Sequence, residues 1–338
     1  MRPPASASLP ILCVCLNPVV QKTLVFDRLV KGEVNRAREH RVDASGKGVN
    51  VTRVLVESGR RAIHLTQAGG PTREWFLALA AADGLDIRWV ESESEIRFCH
   101  TVADLSEGSA TELVEEARPV GAGTGDRILA TFRELIEGCR ALEGCKALVI
   151  SGTKAAGFDP DIFPTMTRYA KEAGLFVVLD IKGNDLINSL EFRPDVIKPN
   201  LQELLATWPL EQGEDGAGRA SAAGVASEAG VAAHGEAALR AHVARIAADL
   251  EERYGSRLVV TRGSRPTWFR DGGELREGPV HPIRPLNPTG SGDAFTAGLA
   301  AVLSGGGTMA EAVAEGSRLG ALNALCLKPG SIRGARLP

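Results

Sequence analysis

Six short apolar runs that alternate with helix-period segments constrain this chain more than any other feature. The runs are "ILCVCL" (Ile11 to Leu16), "AIHLTQAGG" (Ala62 to Gly70), "ALVISG" (Ala147 to Gly152), "LFVVLD" (Leu175 to Asp180), "DVIKPN" (Asp195 to Asn200) and "RLVVTRG" (Arg257 to Gly263). Each ends in a polar or glycine turn, as buried strands do. Between them lie "GVNVTRVLVESG", "PTREWFLALAAADG", "DRILATFRELIEGC", "DPDIFPTMTRYAKEAG" and "LRAHVARIAADLEERYG". Their apolar residues recur at three and four spacing, often before a closing glycine, which is the pattern of amphipathic helices. Such alternation implies right-handed βαβ crossovers, so the expected fold is α/β, a mostly parallel sheet with helices on both faces. Ligands of such sheets sit at the carboxyl ends of the strands.

Two segments break the rhythm. Thr23 to Gly46 and Arg97 to Arg118 alternate like strands with no helix between them, and together are expected to form a small β-sheet lid. Glu211 to Glu236 is a different material, with 14 of its 26 residues Ala or Gly. It lacks the aliphatic surface to offset its ordering entropy and is expected to be a flexible insertion. No internal repeat is visible.

Charge and cysteine usage exclude several function classes. The formal net charge is -3, and no basic run is longer than Arg60-Arg61, so there is no electrostatic footprint for nucleic acid or an anionic membrane. The apolar run near the start, Ile11 to Leu16, is too short for a signal or membrane segment, and a cytoplasmic enzyme acting on small ligands is expected. Cys13, Cys15, Cys99, Cys139, Cys145 and Cys326 show no zinc spacing and read as reduced core thiols.

The stretch with the most chemistry is "NPTGSGDAFTAGL", Asn287 to Leu299. A proline-punctuated segment runs into a glycine turn and then a helix with Phe295, Leu299, Val302 and Leu303 on its apolar side. The backbone N–H groups of Gly290, Ser291, Gly292 and Asp293 would face outward from a helix N-terminus, where a phosphate or its transition state is favoured. Asp293 would repel a phosphate unless it takes a proton from an attacking hydroxyl. On residue types alone, a helix cap explains Asp293 equally well.

"NPTGSGDAFTAGL" resembles the C-terminal signature of the ribokinase-like, PfkB-type carbohydrate kinases, and "DASGKGVNVTRVL" (Asp43 to Leu55) resembles their N-terminal GGKGxNVAR signature. "KPNLQEL" (Lys198 to Leu204), "SATELVEEARPV" (Ser109 to Val120) and "GALNALCLKPGSI" (Gly320 to Ile332) are similar to further family segments in the same order. "CLNPVVQKT" and "KGEVNRAREHRVDASGKGVNV" bring the chain nearest to the 1-phosphofructokinase and tagatose-6-phosphate kinase branch. The resemblance implies one ribokinase-like kinase domain over 9–338, using ATP and Mg²⁺.

It also implies residue roles. Asp293 would be the catalytic base, with Gly290, Ser291 and Gly292 forming the anion hole. Gln21, Gly46, Lys47, Asn50 and Arg97 would bind the acceptor, Lys47 and Arg97 at its phosphate. Asn200 and Glu203 would hold Mg²⁺ with the ATP phosphates, largely through water, and Thr261, Gly263 and Asn323 would flank the nucleotide; a plain helix start with an exposed Glu is the bland account of the Asn-x-x-Glu pair. A homodimer through the lid is implied as well.

Four residues depart from the family pattern. Gln21 stands where the branch carries an acidic residue, and Ser45 replaces the first glycine of GGKG. Lys154 comes with "SGTKAAGFDP" in place of the family's SGSLPPG form and Lys182 stands in "DIKGNDL" where small residues are usual, as extra cations for an anionic substrate or as solvated loop lysines. The leading expectation is an ATP-dependent kinase of a phosphorylated ketohexose, fructose 1-phosphate first, then tagatose 6-phosphate or fructose 6-phosphate. The alternative is a non-catalytic sugar-phosphate sensor on the same fold. A Rossmann dehydrogenase is disfavoured, because no G-x-G-x-x-G follows the first strand.

Overall fold

A computed structural model describes residues 10–141, 147–210 and 235–338. In chain order, β1 (Ile11–Leu16), β2 (Val19–Phe26) and β3 (Glu39–Ser45) precede α1 (Lys47–Glu57). Then come β4 (Ala62–Ala68), α2 (Arg73–Ala82), β5 (Asp86–Glu91), β6 (Arg97–Asp104), β7 (Ser109–Val114), α3 (Thr124–Ala141), β8 (Ala147–Lys154) and α4 (Ile162–Glu172). Next are β9 (Phe176–Asp180), α5 (Gly183–Ile187), β10 (Val196–Ile197), α6 (Leu201–Thr207), α7 (Glu236–Tyr254) and β11 (Arg257–Arg262). The hairpin β12 (Arg265–Asp271) and β13 (Glu274–Glu277), then α8 (Ser291–Leu303) and α9 (Met309–Ala324), complete it.

The larger sheet has the order β13-β12-β11-β10-β9-β8-β1-β4-β5 and is parallel from β5 to β11. The six apolar runs supply β1, β4, β8, β9, β10 and β11, as their pattern predicts. Side chains alternate across the sheet. Leu12, Val14 and Leu16 of β1 join one core cluster with residues of α3, α4 and α7, whereas Ile11 and Cys13 join the other, with residues of α1, α8 and α9. Helices therefore cover both faces, and each fully buried aliphatic side chain contributes roughly 1.5–3 kcal/mol.

Three strands, β5, β12 and β13, were not expected. β5 is "DIRWVE", with Val90 its one buried residue, and β13 carries Leu275 alone among charges. These rim strands lack the continuous apolar run that marks a strand buried on both faces.

The small sheet has the order β3-β2-β6-β7. Its central pair β2 and β6 is parallel, from Val19 opposite Arg97 to Phe26 opposite Asp104, and both outer pairs are antiparallel. Its first strand starts at Val19, ahead of the expected Thr23, because Asn17-Pro18 turns the chain from one sheet to the other without ending structure. Its last strand ends at Val114, short of the expected Arg118. The insertion expected at 211–236 lies outside the described residues up to 234, and Glu236 already begins α7.

Cys13, Cys15 and Cys99 are buried free thiols and Cys326 is half-buried; the side chains of Cys139 and Cys145 lie outside the described residues. No helix among the described residues is long and apolar enough to cross a membrane.

Helices α8 and α9 cross with glycine against glycine. A Cβ at Gly298 would lie 2.8 Å from the backbone nitrogen of Gly316 and 2.9 Å from its Cα. This close approach seats α8, which carries Asp293. Substituting Gly298→Ala is expected to force the helices apart and lower stability by about 1–3 kcal/mol, read as a lower denaturation midpoint in urea.

Candidate active site

The carboxyl ends of the parallel strands open into a cleft of about 1610 Å³, walled opposite by β2, β6 and β7 of the small sheet. That exceeds a single small-molecule pocket and leaves room for two ligands end to end.

The glycine turn before α8 has a steric origin. Gly290 has φ 85°, and a Cβ there would fall 2.4 Å from the nitrogen of Gly330. The loop is also pinned by Asn287, whose Nδ2 donates to the Leu327 carbonyl at 2.9 Å. The Ser291 N–H donates to the Pro288 carbonyl at 3.1 Å, so the expected four-amide anion hole loses that member to the turn itself. The N–H groups of Gly292 and Asp293 have no backbone acceptor outside their helix among the described residues, and a Cβ on Gly292 would meet nothing within 4 Å. Open space thus lies over the positive end of α8.

Asp293 is buried, and its Oδ2 accepts from Asn50 Nδ2 at 2.8 Å. Burial pushes its carboxyl up to about 7, with Asp180 adding to the rise and Lys47, the Asn50 donor and Lys198 opposing it. A carboxyl poised near neutrality can both take and hold a proton.

Asp180, at the end of β9, was not singled out from the sequence. Its Oδ2 accepts from Ser151 at 3.1 Å and Thr296 at 2.9 Å, and its Oδ1 lies 3.3 Å from Lys198 Nζ and 3.7 Å from Lys47 Nζ. Burial would raise Asp180, but these lysines and hydroxyls outweigh it and hold the carboxyl below its ordinary value. The signal was present as charged residues closing apolar runs, Asp180 after "LFVVL" and Lys198 after "DVI".

On the acceptor side, Gly46 (φ 112°) stands at the N-cap of α1 and turns Lys47 into the cleft. Lys47 Nζ meets Glu203 Oε1 at 2.9 Å. Gln21 lies on β2, buried, and donates through Nε2 to Thr101 Oγ1 at 2.8 Å. Arg97 donates through Nη1 to the Glu115 carbonyl at 2.6 Å, while its Nε is buried without a partner among the described residues. Gln21, Gly46, Lys47, Asn50 and Arg97 all line the cleft.

At the other end, Asn200 and Glu203 form a capping box: Asn200 Oδ1 accepts from the Glu203 N–H at 2.8 Å, and Glu203 Oε2 from the Asn200 N–H at 3.0 Å. Glu203 is thus a helix-start residue, as the bland account has it, but not an exposed one; its side chain is 15% exposed and bonded to Lys47. Among the described residues no group of three His, Cys, Asp or Glu could hold a metal by itself. Asn200 Oδ1 and both Glu203 carboxylate oxygens already accept hydrogen bonds, so a magnesium ion at this pair would be held mainly by water and substrate phosphates, which needs few protein ligands. Thr261 and Gly263 line the cleft beside Asn200.

One expectation is displaced. Asn323 is fully buried, and its Nδ2 donates to the Thr289 carbonyl at 2.9 Å and Ser291 Oγ at 3.1 Å while its Oδ1 accepts from the Ser331 N–H. It braces the glycine turn from behind and does not itself line the cleft, although Gly320, Ala321 and Ala324 of the same helix do. Of the two readings of Lys154 and Lys182 the extra-cation one falls away: Lys154 is bonded to Asp185, Lys182 is exposed as a solvated loop lysine, and neither lines the cleft.

The family model for pfkB family carbohydrate kinases matches residues 11–333. The tagatose-6-phosphate kinase of Staphylococcus epidermidis is 27% identical over 325 residues, covering 95% of this chain and 94% of that protein. Among solved structures, the tetrameric inhibited form of phosphofructokinase-2 from Escherichia coli superposes with a TM-score of 0.74 at 19% identity, covering 94% of each chain. A structure described as "possible 1-phosphofructokinase" from Thermotoga maritima gives 0.73 at 18% identity, covering 97% of this chain and 94% of that one.

The raised Asp293 carboxyl has a signed consequence for stability. Between the ordinary value of 3.8 and about 7 the folded state keeps a proton that the unfolded chain has released, so this group's contribution falls as pH rises through that window. Asp293→Asn is expected to melt above wild type at about pH 8, with the gap closing towards about pH 4, as read by thermal denaturation across pH.

Proposed function

The chain belongs to the pfkB family of carbohydrate kinases, and from that premise we propose that it transfers the γ-phosphoryl group of ATP to a hydroxyl of a phosphorylated ketohexose. Fructose 1-phosphate is the first candidate, with tagatose 6-phosphate and fructose 6-phosphate next. The observation that carries this reading is Asp293, a buried carboxyl poised near neutrality beside the open N-terminus of α8.

In this mechanism Asp293 takes the proton from the acceptor hydroxyl as the oxygen attacks. The amides of Gly292 and Asp293, at the turn built by Gly290 and Ser291, face the charge on the transferred group, where fixed donors are most effective. Lys47 and Arg97 are the cations for the acceptor's own phosphate, Gln21 holds its hydroxyls as a neutral donor and acceptor, and Asn50 offers them its remaining Nδ2–H. Asn200 and Glu203 would hold Mg²⁺ through water, and when bound it neutralises phosphate charge. Thr261 and Gly263 border the nucleotide. The tagatose-6-phosphate kinase relationship supports a phosphorylated ketose as acceptor.

A homodimer through the small sheet belongs to the same proposal. β7 is exposed along its length, with Leu113 and Val114 56% and 52% exposed, and an open edge bearing apolar side chains favours pairing. Light scattering on the purified protein is expected to give a dimer, and Leu113→Glu a shift towards monomer; a wild-type monomer at micromolar concentration would reject it.

ADP release with Mg-ATP against phosphorylated and free ketohexoses, ribose and nucleosides tests the reaction. Turnover on one phosphorylated ketose is expected, with loss of about 10²-fold or more in Asp293→Asn that stays folded. Ligand binding without ADP release across the panel would favour the sensor reading.

A further inference from the structure

Arg53 stands in α1, three residues beyond Asn50, and is fully buried. A buried guanidinium needs partners for its donors. Its Nε donates to Asp83 Oδ2 at 2.9 Å, its Nη1 to the Pro329 carbonyl at 3.0 Å and to Asn50 Oδ1 at 3.1 Å, and its Nη2 to the Ala44 carbonyl. Asp83 is bonded in turn to Lys328, which lies 3.5 Å from Asp43. From the other side, Ser45 Oγ donates to the same Asn50 Oδ1 at 2.9 Å.

A side-chain amide has a donor end and an acceptor end of nearly equal shape, so its neighbours decide which way it points. Both lone pairs of Asn50 Oδ1 are occupied: the Arg53 guanidinium has no acceptor to offer Nδ2 in exchange, and the Ser45 hydroxyl, which could accept, would lose the bond it donates. Turned over, the amide would set its NH₂ against a guanidinium. We propose that Arg53 and Ser45 are positioning residues that hold the Asn50 amide with its nitrogen towards Asp293. Arg53 acts from outside the cleft, through Asn50. Ser45 supplies a hydroxyl where the resembled signature has a glycine, which could make no such bond.

The catalytic consequence rests on Asp293 as the base; the orientation of Asn50 does not. Asn50 Nδ2–H favours the ionised form of Asp293, so a loosened amide raises that carboxyl. The other groups that bear on Asp293 are Lys47 and Lys198, which favour its ionised form, Asp180, which disfavours it, and the Cys15 thiol. Those that bear on Arg53 are Asp83, with Lys328 behind it, and buried His64, held neutral by burial and by the Arg53 charge.

Two readouts on Ser45→Ala and Arg53→Lys test this: the pH dependence of kcat and KM, and the pH window over which Asp293→Asn changes the melting temperature in each background. Ser45→Ala is expected to move the acid limb of kcat, and the stability window with it, upward by about half a unit or more, recovering turnover at high pH. Arg53→Lys keeps the charge but loses the fork, and should move both further in the same direction. Should it fail to fold, Ser45→Ala still decides. A Ser45→Ala protein that melts lower but keeps both the limb and the window of wild type overturns the proposal. Retained turnover in Asp293→Asn ends the base assignment instead, and the stability window still reports how Asn50 is held.

Discussion

A carboxylate buried at the end of a parallel strand must be met by cations and hydroxyls, and Asp180 is met from four elements. Ser151 comes from β8, Thr296 from α8, Lys198 from the end of β10 and Lys47 from the start of α1. Removing one partner of such a group would leave an uncompensated charge, on the order of 3–5 kcal/mol. Thr296 lies three residues beyond Asp293, so the bond that satisfies Asp180 also sets the rotation of α8 about its axis and aims Asp293 at Asn50. The rest of the site follows from that anchor.

Lys47 is held in the cleft by acidic groups from two elements. It is bonded to Glu203 on the first turn of α6 at 2.9 Å and lies 3.7 Å from Asp180 at the end of β9. Burial works against its charge, and Asp180, Glu203 and Asp293 outweigh burial and hold it protonated. A fixed cation in this cleft suits a reaction that moves negative charge, as phosphoryl transfer does.

Much of this was legible along the chain. Alternating apolar runs foretold the parallel core, because strands buried on both faces must be apolar throughout, and the glycine turn before Asp293 was visible because only glycine tolerates the backbone at residue 290. Rim strands β5 and β13 were hidden, since exposed strands carry no apolar run. Asn323 was misplaced for another reason: sequence puts it on the right helix, but which way a helical side chain points is settled by the glycine loop packed against it. Lys154 likewise met Asp185 across space, where spacing in sequence carries no warning.

By itself the sequence determined the fold class, the order of the signature segments and the residue types available for phosphoryl transfer, because these depend on periodicity and on local backbone geometry. Tertiary structure alone decided which charges neutralise one another, why Asp293 titrates near neutrality and which way the Asn50 amide faces. Those properties depend on burial and on distances between residues as far apart in the chain as Asn50 and Asp293, which no local pattern records.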